Sequence, residues 1–172
     1  HLIEISISDN FNLYENIIRE KNINLTLEKY LELYRFHYPK INLDEETIRL
    51  IKILKDKGIK MSIITDGRST TQRNKINALG ILNELSMIIV SEETGYEKPN
   101  KHNFILIQNA YPSDNFVYVG DNTIKDFIAP NQLGWDTICL LDDGRNIHKQ
   151  SFDLNKNLLP KRSINSLIDL IL

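Results

Sequence analysis

Phe116-Val117-Tyr118-Val119-Gly120-Asp121-Asn122-Thr123-Ile124-Lys125-Asp126-Phe127 is the stretch whose reading decides the fold. An apolar, β-type run from Phe116 to Val119 stops at a glycine and delivers two aspartates five residues apart. In a parallel α/β domain the carboxyl ends of the strands face the ligand crevice. Asp121 is then expected on that rim, and Asp126 just beyond it, where the chain turns toward a helix. Two carboxylates converging at a strand end suit a hard divalent cation, since Mg²⁺ usually takes one or two protein carboxylates plus water and phosphate. Gly-Asp-Asn is equally a turn built from its usual residues. The stretch by itself leaves both readings open.

The flanking sequence supplies the context. Ile59 to Thr65, nearly all apolar from Met61 to Ile64, reads as a buried parallel strand ended by Thr65-Asp66-Gly67. Ser69 has a capping-box spacing to Gln72, and Gly80 closes the helix that follows. Met87 to Val90 is the next strand, and Ser91 to Pro99 a loop rich in Glu, Gly and Lys. A helix is expected over Lys101 to Ala110, and a short one entered at Pro130, where a missing N–H costs nothing. Thr137 to Leu141 reads as the last strand, and Ser163 to Ile171 as a final helix capped by Ser163. Strand and helix alternate from residue 59 onward, which predicts an α/β fold: a Rossmann-like parallel sheet wrapped by helices.

The amino-terminal third is different. Residues 2–8 alternate apolar and polar and fit a half-buried strand, while 10–20 and 26–36 fit helices. Leu27, Tyr30, Leu31 and Tyr34 form a stripe at helical spacing, with Thr26 as N-cap, and such stripes are more often core than binding site. Pro39 ends this helix. Another is expected over Asp44 to Lys57, with Ile48, Ile51 and Leu54 on its packed face and Gly58 as its stop.

Composition excludes more than it selects. The 172 residues are 41% hydrophobic and 26% charged, with a formal charge of −2, which gives no reason to expect nucleic acid or an anionic membrane surface. No apolar run is long enough to span a membrane and no signal-peptide pattern opens the chain. The single cysteine, Cys139, cannot form an internal disulfide, so a cytoplasmic setting is the expectation. His1, His37, His102 and His148 have no metal-ligand spacing. A chain opening on His1 is read as a fragment, a processed product or a tagged protein.

Three junctions carry chemistry. The first strand end offers Thr65, Asp66 and Gly67, a loop offers Lys98, and the later strand end offers Asp121 and Asp126. A hydroxyl, backbone N–H groups, an ammonium and paired carboxylates together suit a phosphoryl group held through Mg²⁺. Each residue alone is better read as a strand end, a turn or a loop charge. In this order, each at a strand-to-helix junction, the set favours the chemical reading. Arg68 and Arg73 follow the Thr65 turn closely enough to meet a second anionic group, with surface charge the preferred reading for Arg73. Trp135 and Tyr111 are read as packing.

At this point the chain resembles the haloacid dehalogenase superfamily, mostly phosphohydrolases, over about residues 14–172. Met61 to Ser69 is similar to the family's second motif, Gly95-Tyr96-Glu97-Lys98-Pro99-Asn100 to its third, and Gly120-Asp121 through Asp126 to its fourth. The resemblance implies that Thr65 binds the phosphoryl oxygen, that Lys98 steadies the nucleophile and phosphate charges, and that Asp121 and Asp126 hold Mg²⁺. Thr70 to Lys75 and Tyr34 to Pro39 resemble a subgroup with a helical cap. Residues 1–40 are then a partial cap, and 41–172 a core without its first strand. The family's first motif, a strand ending in Asp-x-Asp whose first Asp attacks phosphorus, has no match, for no Asp-x-Asp occurs in the chain.

The expectation is therefore a chain that begins inside the cap, a poor catalyst of marginal stability. Its missing strand would sit between 59–65 and 116–120 and leave both without ladder partners. A rival account puts residues 2–8 in that position with Asp9 as nucleophile, against which Phe11 stands where an acid–base residue is needed. The implied function is a Mg²⁺-dependent phosphatase for a small phosphorylated metabolite, a nucleotide or sugar phosphate, working through an aspartyl phosphate. The alternative is an inactive phosphate-binding or regulatory protein of the same fold. A phospho-accepting receiver domain is set aside, because its acidic pair precedes its Thr and Lys.

Overall fold

The computed structural model describes residues 15–144, 146 and 148–171. The expected strand at 2–8, Asp9 and the start of the first helix lie outside the described residues. Residues 15–20 are helical and are followed by α1 (Leu27–Phe36), where Thr26 accepts the Lys29 N–H at 3.3 Å as the expected N-cap. Helix α2 (Glu45–Asp56) is capped by Asp44, whose carboxylate accepts the Thr47 N–H at 2.7 Å. It stops at Gly58, with φ +70, where the Gly58 and Ile59 N–H groups return to the Lys55 and Leu54 carbonyls. That double closure needs a left-handed residue, and it delays the first strand from 59 to 62.

The core follows as β1 (Ser62–Thr65), α3 (Ser69–Ala78), β2 (Met87–Val90), a single turn α4 (Ser91–Thr94), α5 (His102–Ala110) and β3 (Val117–Gly120). After these come α6 (Ile128–Gln132), β4 (Asp136–Leu140) and β5 (Arg162–Ile164). All strand pairs are parallel. β1 runs beside β2, Ser62 opposite Met87 and Thr65 opposite Val90, and β4 lies between β3 and β5. Helices surround the strands, as the alternation predicts.

The strands form two sheets, β1-β2 and β3-β4-β5. Among the described residues no strand pairs with the outer edge of β1 or of β3. A cavity of about 500 Å³ opens between the start of β1 at Ser62 and the start of β3 at Phe116 and Val117, and Val117 is 56% exposed. One apolar core nevertheless underlies both sheets: Ile64, Ile89, Phe104, Ile107, Ala129 and Trp135 are buried together, with Tyr118 and Phe116 packed on them. Trp135 stacks on Phe116 at 4.5 Å and donates Nε1–H to Gln108 Oε1, so its reading as packing holds.

Several expectations are corrected. Ser163 does not cap a helix: it sits in β5 opposite Cys139, and only 167–171 forms a short 3₁₀ turn. The open edge of β4 takes the segment as a strand and buries Ile164, and Asp169 Oδ2 accepts the Asn165 and Ser166 N–H groups, so the turn starts later. Helix α6 begins at Ile128, two residues ahead of Pro130, because a first-turn proline loses no helical bond at either position. Ser69 is the first residue of α3 and not its cap. Its N–H is accepted by Glu92 Oε2 at 2.7 Å and its hydroxyl bonds Glu93, so α4 caps α3 from outside. The packed face of α2 runs through the buried Leu50, whereas Ile48 is 55% exposed.

The α1 stripe is also not core. No residue of α1 is buried, and hydrogen bonds join its carboxyl end to α3: Thr71 Oγ1 donates to the Arg35 carbonyl and Asn74 Nδ2 to that of His37. Tyr30 and Tyr34 instead line a cavity of about 450 Å³ that Thr71 and Lys75 close from the α3 side.

Candidate active site

Thr65 ends β1 and Gly120 ends β3, and the loops that leave these two strands carry the polar side chains. After Thr65 the chain turns at Gly67, with φ +119, a backbone region that side chains disfavour. The Gly67 N–H donates to Ser91 Oγ at 2.9 Å, and Ser91, almost fully buried, is the residue directly after β2. Thr65 Oγ1 donates to Gln72 Oε1 at 3.0 Å, so the first turn of α3 fixes the hydroxyl. The parallel register thus sets the neighbouring strand end to hold the Thr65–Gly67 loop.

Lys98 lies on the loop between α4 and α5. Its backbone N–H donates to Asp66 Oδ1 at 3.2 Å, and Asn103, completely buried, binds the Tyr96 carbonyl at 2.7 Å to anchor the same loop. The Lys98 ammonium reaches Asp126 Oδ1 at 2.8 Å and the Tyr118 hydroxyl at 3.3 Å. Burial would lower its pKa, but the facing Tyr118, Asp126 and Asp66 outweigh that and hold it above its ordinary value. Tyr118 is pushed up mainly by its own burial, against the opposing pull of Lys98, and stays a neutral phenol.

Asp126 is buried, and its Oδ2 accepts the Asp121 N–H at 3.2 Å and the Asn122 N–H at 2.9 Å. This carboxylate folds the loop that presents Asp121, which is exposed. Gly120 makes that closeness possible, because a Cβ there would stand 2.7 Å from Asp126 Oδ2. Asn122 Oδ1 accepts the Ile124 N–H at 3.0 Å, so Gly-Asp-Asn is a turn as well as a site. Gln150 braces the loop from beyond β4, donating Nε2–H to the Asp121 and Leu140 carbonyls at 2.8 and 2.7 Å.

The structure therefore brings Thr65, Asp66, Gly67, Lys98, Asp121 and Asp126 to one end of the two sheets. Asp66 joins the halves, taking the Lys98 N–H on one oxygen and the Lys125 ammonium, at 2.9 Å, on the other. Lys125, Tyr118, Ser91 and Gln150 are partners that the sequence reading did not single out, and Gln72, expected there in a capping box with Ser69, holds the Thr65 hydroxyl instead. Tyr118 had a signal: it alternates with Val117 and Val119 and so faces the opposite side of β3 from them. Lys125 and Gln150 had none, since their roles depend on which loops meet.

Among the described residues no group of three or more His, Cys, Asp or Glu is gathered to hold a metal. Asp121 and Asp126 provide two carboxylates, and Mg²⁺ commonly takes no more than that from protein. Asp126 Oδ1 is buried and, among the described residues, is met by the Lys98 ammonium at 2.8 Å. An oxygen of that kind fits a hard cation.

Residues 1–140 match the family of haloacid dehalogenase-like hydrolases. The chain is 29% identical over 160 residues to a glyceraldehyde 3-phosphate phosphatase of Methanocaldococcus jannaschii, covering 81% of this chain and 70% of that protein. It is 32% identical over 87 residues to a ribulose-1,5-bisphosphate 5-phosphatase of Halopiger xanaduensis, covering 49% of this chain and 36% of that protein. Among solved structures it superposes on the HAD-hydrolase YfnB from Bacillus subtilis bound to magnesium, with a TM-score of 0.67 at 20% identity, over 97% of this chain and 72% of that one. The motif order, the parallel strands and the family match agree, and the chain belongs to the haloacid dehalogenase-like hydrolases.

Proposed function

We propose that the chain carries the phosphate- and metal-binding part of a Mg²⁺-dependent phosphatase for a small phosphorylated metabolite, a sugar phosphate or a nucleotide. The observation that carries this reading is the ion pair of Lys98 with Asp126, 2.8 Å long and nearly dry, at the strand end that also presents Thr65, Asp66 and Asp121. The relatives that act on glyceraldehyde 3-phosphate and ribulose 1,5-bisphosphate support the sugar-phosphate class.

In this reading the Thr65 hydroxyl and the backbone N–H groups of the Asp66–Gly67 turn bind phosphoryl oxygens. Lys98 offsets their charge while Tyr118 and Asp126 hold its ammonium in place. Asp121 and Asp126 would hold Mg²⁺, which when bound supplies charge neutralisation for the phosphoryl group. The attacking carboxylate of an aspartyl-phosphate route lies outside the described residues, either in a strand supplied from elsewhere or at Asp9. Residues 1–40 act as part of a cap and 41–172 as the core, in a cytoplasmic setting.

Hydrolysis of p-nitrophenyl phosphate with Mg²⁺, by this chain beside Asp9→Ala and Asp121→Ala, tests the reading. The missing-nucleophile form predicts turnover near background in all three. Activity that both substitutions abolish would make Asp9 the attacking residue. Activity that survives Asp121→Ala would contradict the metal role.

A further inference from the structure

The pairing of β3 with β4 ends at Gly120 opposite Cys139, and the Gln150 side chain spans the gap just beyond it. Its Nε2 donates to the Asp121 carbonyl at 2.8 Å and to the Leu140 carbonyl at 2.7 Å. Its Oε1 accepts the Asp142 N–H at 3.0 Å. Both N–H groups and the carbonyl of one half-buried amide are thus spent on backbone. The next residue adds a second tie, for the Ser151 N–H donates at 2.9 Å to the hydroxyl of the fully buried Thr123.

The Asp121 carbonyl belongs to the same peptide group as the Asn122 N–H, which donates to Asp126 Oδ2 at 2.9 Å. A peptide group is planar, so holding its oxygen and its hydrogen fixes the plane. Gln150 holds one side of this plane and Asp126 the other. The peptide before it is held too, because the Asp121 N–H donates to the same Asp126 oxygen at 3.2 Å. With both flanking peptides held, the direction in which the Asp121 side chain leaves the backbone is fixed relative to the Asp126 carboxylate. Gln150 supplies this restraint from beyond β4, outside the strand-end loops that carry the charged residues. An aliphatic chain of the same length would fill the space and leave both carbonyls without that donor.

We propose that Gln150 is a positioning residue for the cation: acting through the Asp121 backbone, it aligns the Asp121 carboxylate with that of Asp126 and so sets the affinity for Mg²⁺. Groups that orient a metal-ligating side chain tune affinity without touching the metal. The inference rests on the metal role proposed above for Asp121 and Asp126, and adds a residue on which that role depends.

Calorimetric titration of the full chain with Mg²⁺, alongside thermal melting of each variant, tests it. Gln150→Met is expected to weaken Mg²⁺ by about tenfold, the lower end of what losing the partner of a ligating group costs. Asn131→Ala is the matched control. Asn131 braces the Asn157 and Leu159 carbonyls at 3.1 and 2.8 Å and, among the described residues, bonds none of the site residues. It is expected to lower the melting temperature and leave Mg²⁺ affinity within about twofold. Thr123→Val removes the second tie at nearly constant volume and is expected to weaken Mg²⁺ by about threefold, the scale of one neutral hydrogen bond. That variant carries the test should Gln150→Met fail to fold. Asp121-dependent Mg²⁺ binding that ignores Gln150→Met and Thr123→Val, or that falls equally with Asn131→Ala, would overturn the inference and leave the metal role standing. Mg²⁺ binding that ignores Asp121→Asn, or no binding by the unaltered chain, would overturn the metal role and the inference together.

Discussion

Lys98 and Asp126 are 11% and 3% exposed, and their 2.8 Å pair is shielded from water by Tyr118 and the Gly120 turn. Removing one partner of such a pair leaves the other charge buried without compensation, at a cost of about 3–5 kcal/mol. Lys98→Met is expected to lose stability on that scale in urea unfolding, and Asp126→Asn added to it should recover part of the loss. A single-variant loss under about 1 kcal/mol, as for a surface pair, would contradict the geometry. The raised pKa of Lys98 keeps its contribution present throughout the range below 10.5, its ordinary value, and removes it only in stronger base. Glu93, which pairs with Arg73 at 2.7 Å, runs the other way. Its carboxyl falls from 4.5 to about 2 on folding, so its contribution is complete above pH 4.5 and disappears as pH drops toward 2. The effect is small because the pair is partly exposed. Arg73→Ala should flatten the stability curve between pH 4.5 and 2, and an unchanged curve would show that the pair contributes nothing.

At the level of elements, the β3 turn works because Gly120 has no side chain. Its backbone would accept another residue, but an added Cβ would meet Asp126 Oδ2 at 2.7 Å and its Cβ and Cγ at 3.0 Å. Two backbone N–H bonds and Lys98 prevent the carboxylate from retreating. Gly120→Ala should therefore cost about 1–3 kcal/mol by overpacking and weaken Mg²⁺-dependent phosphate binding. Retained stability together with retained binding would argue against this account of the turn. Glycine at this place was legible in the sequence as the end of an apolar run, and so were β2, the α1 cap and the polar residues that gather at the ends of β1 and β3. What escaped was decided by tertiary partners. Ser163 carries a helix-capping signature yet lies in a strand, because the edge of β4 offers hydrogen bonds that outweigh local preference. Ser69 has capping-box spacing, yet Glu92 and Glu93 reach its N–H and hydroxyl from another segment. Lys125 and Gln150 became visible only when distant loops met.

For the whole molecule, the organising feature is a parallel sheet in two pieces, β1-β2 and β3-β4-β5, over one shared core. Polar bridges tie the pieces together at both ends: Lys98–Asp126 and Lys125–Asp66 on the site side, and Lys60–Asp114 at 2.9 Å on the other. The candidate site spans the division, with Thr65 and Asp66 on one piece and Asp121 and Asp126 on the other. In the proposed function these residues act together on one phosphoryl group through Mg²⁺. Titration of the full chain with orthophosphate, with and without Mg²⁺, tests that claim most directly. One saturable site is predicted, weakened at least about tenfold by omitting Mg²⁺, by Asp121→Asn and by Thr65→Ala alike, the scale of a lost charged contact. Phosphate binding indifferent to Mg²⁺ and to both substitutions would contradict it.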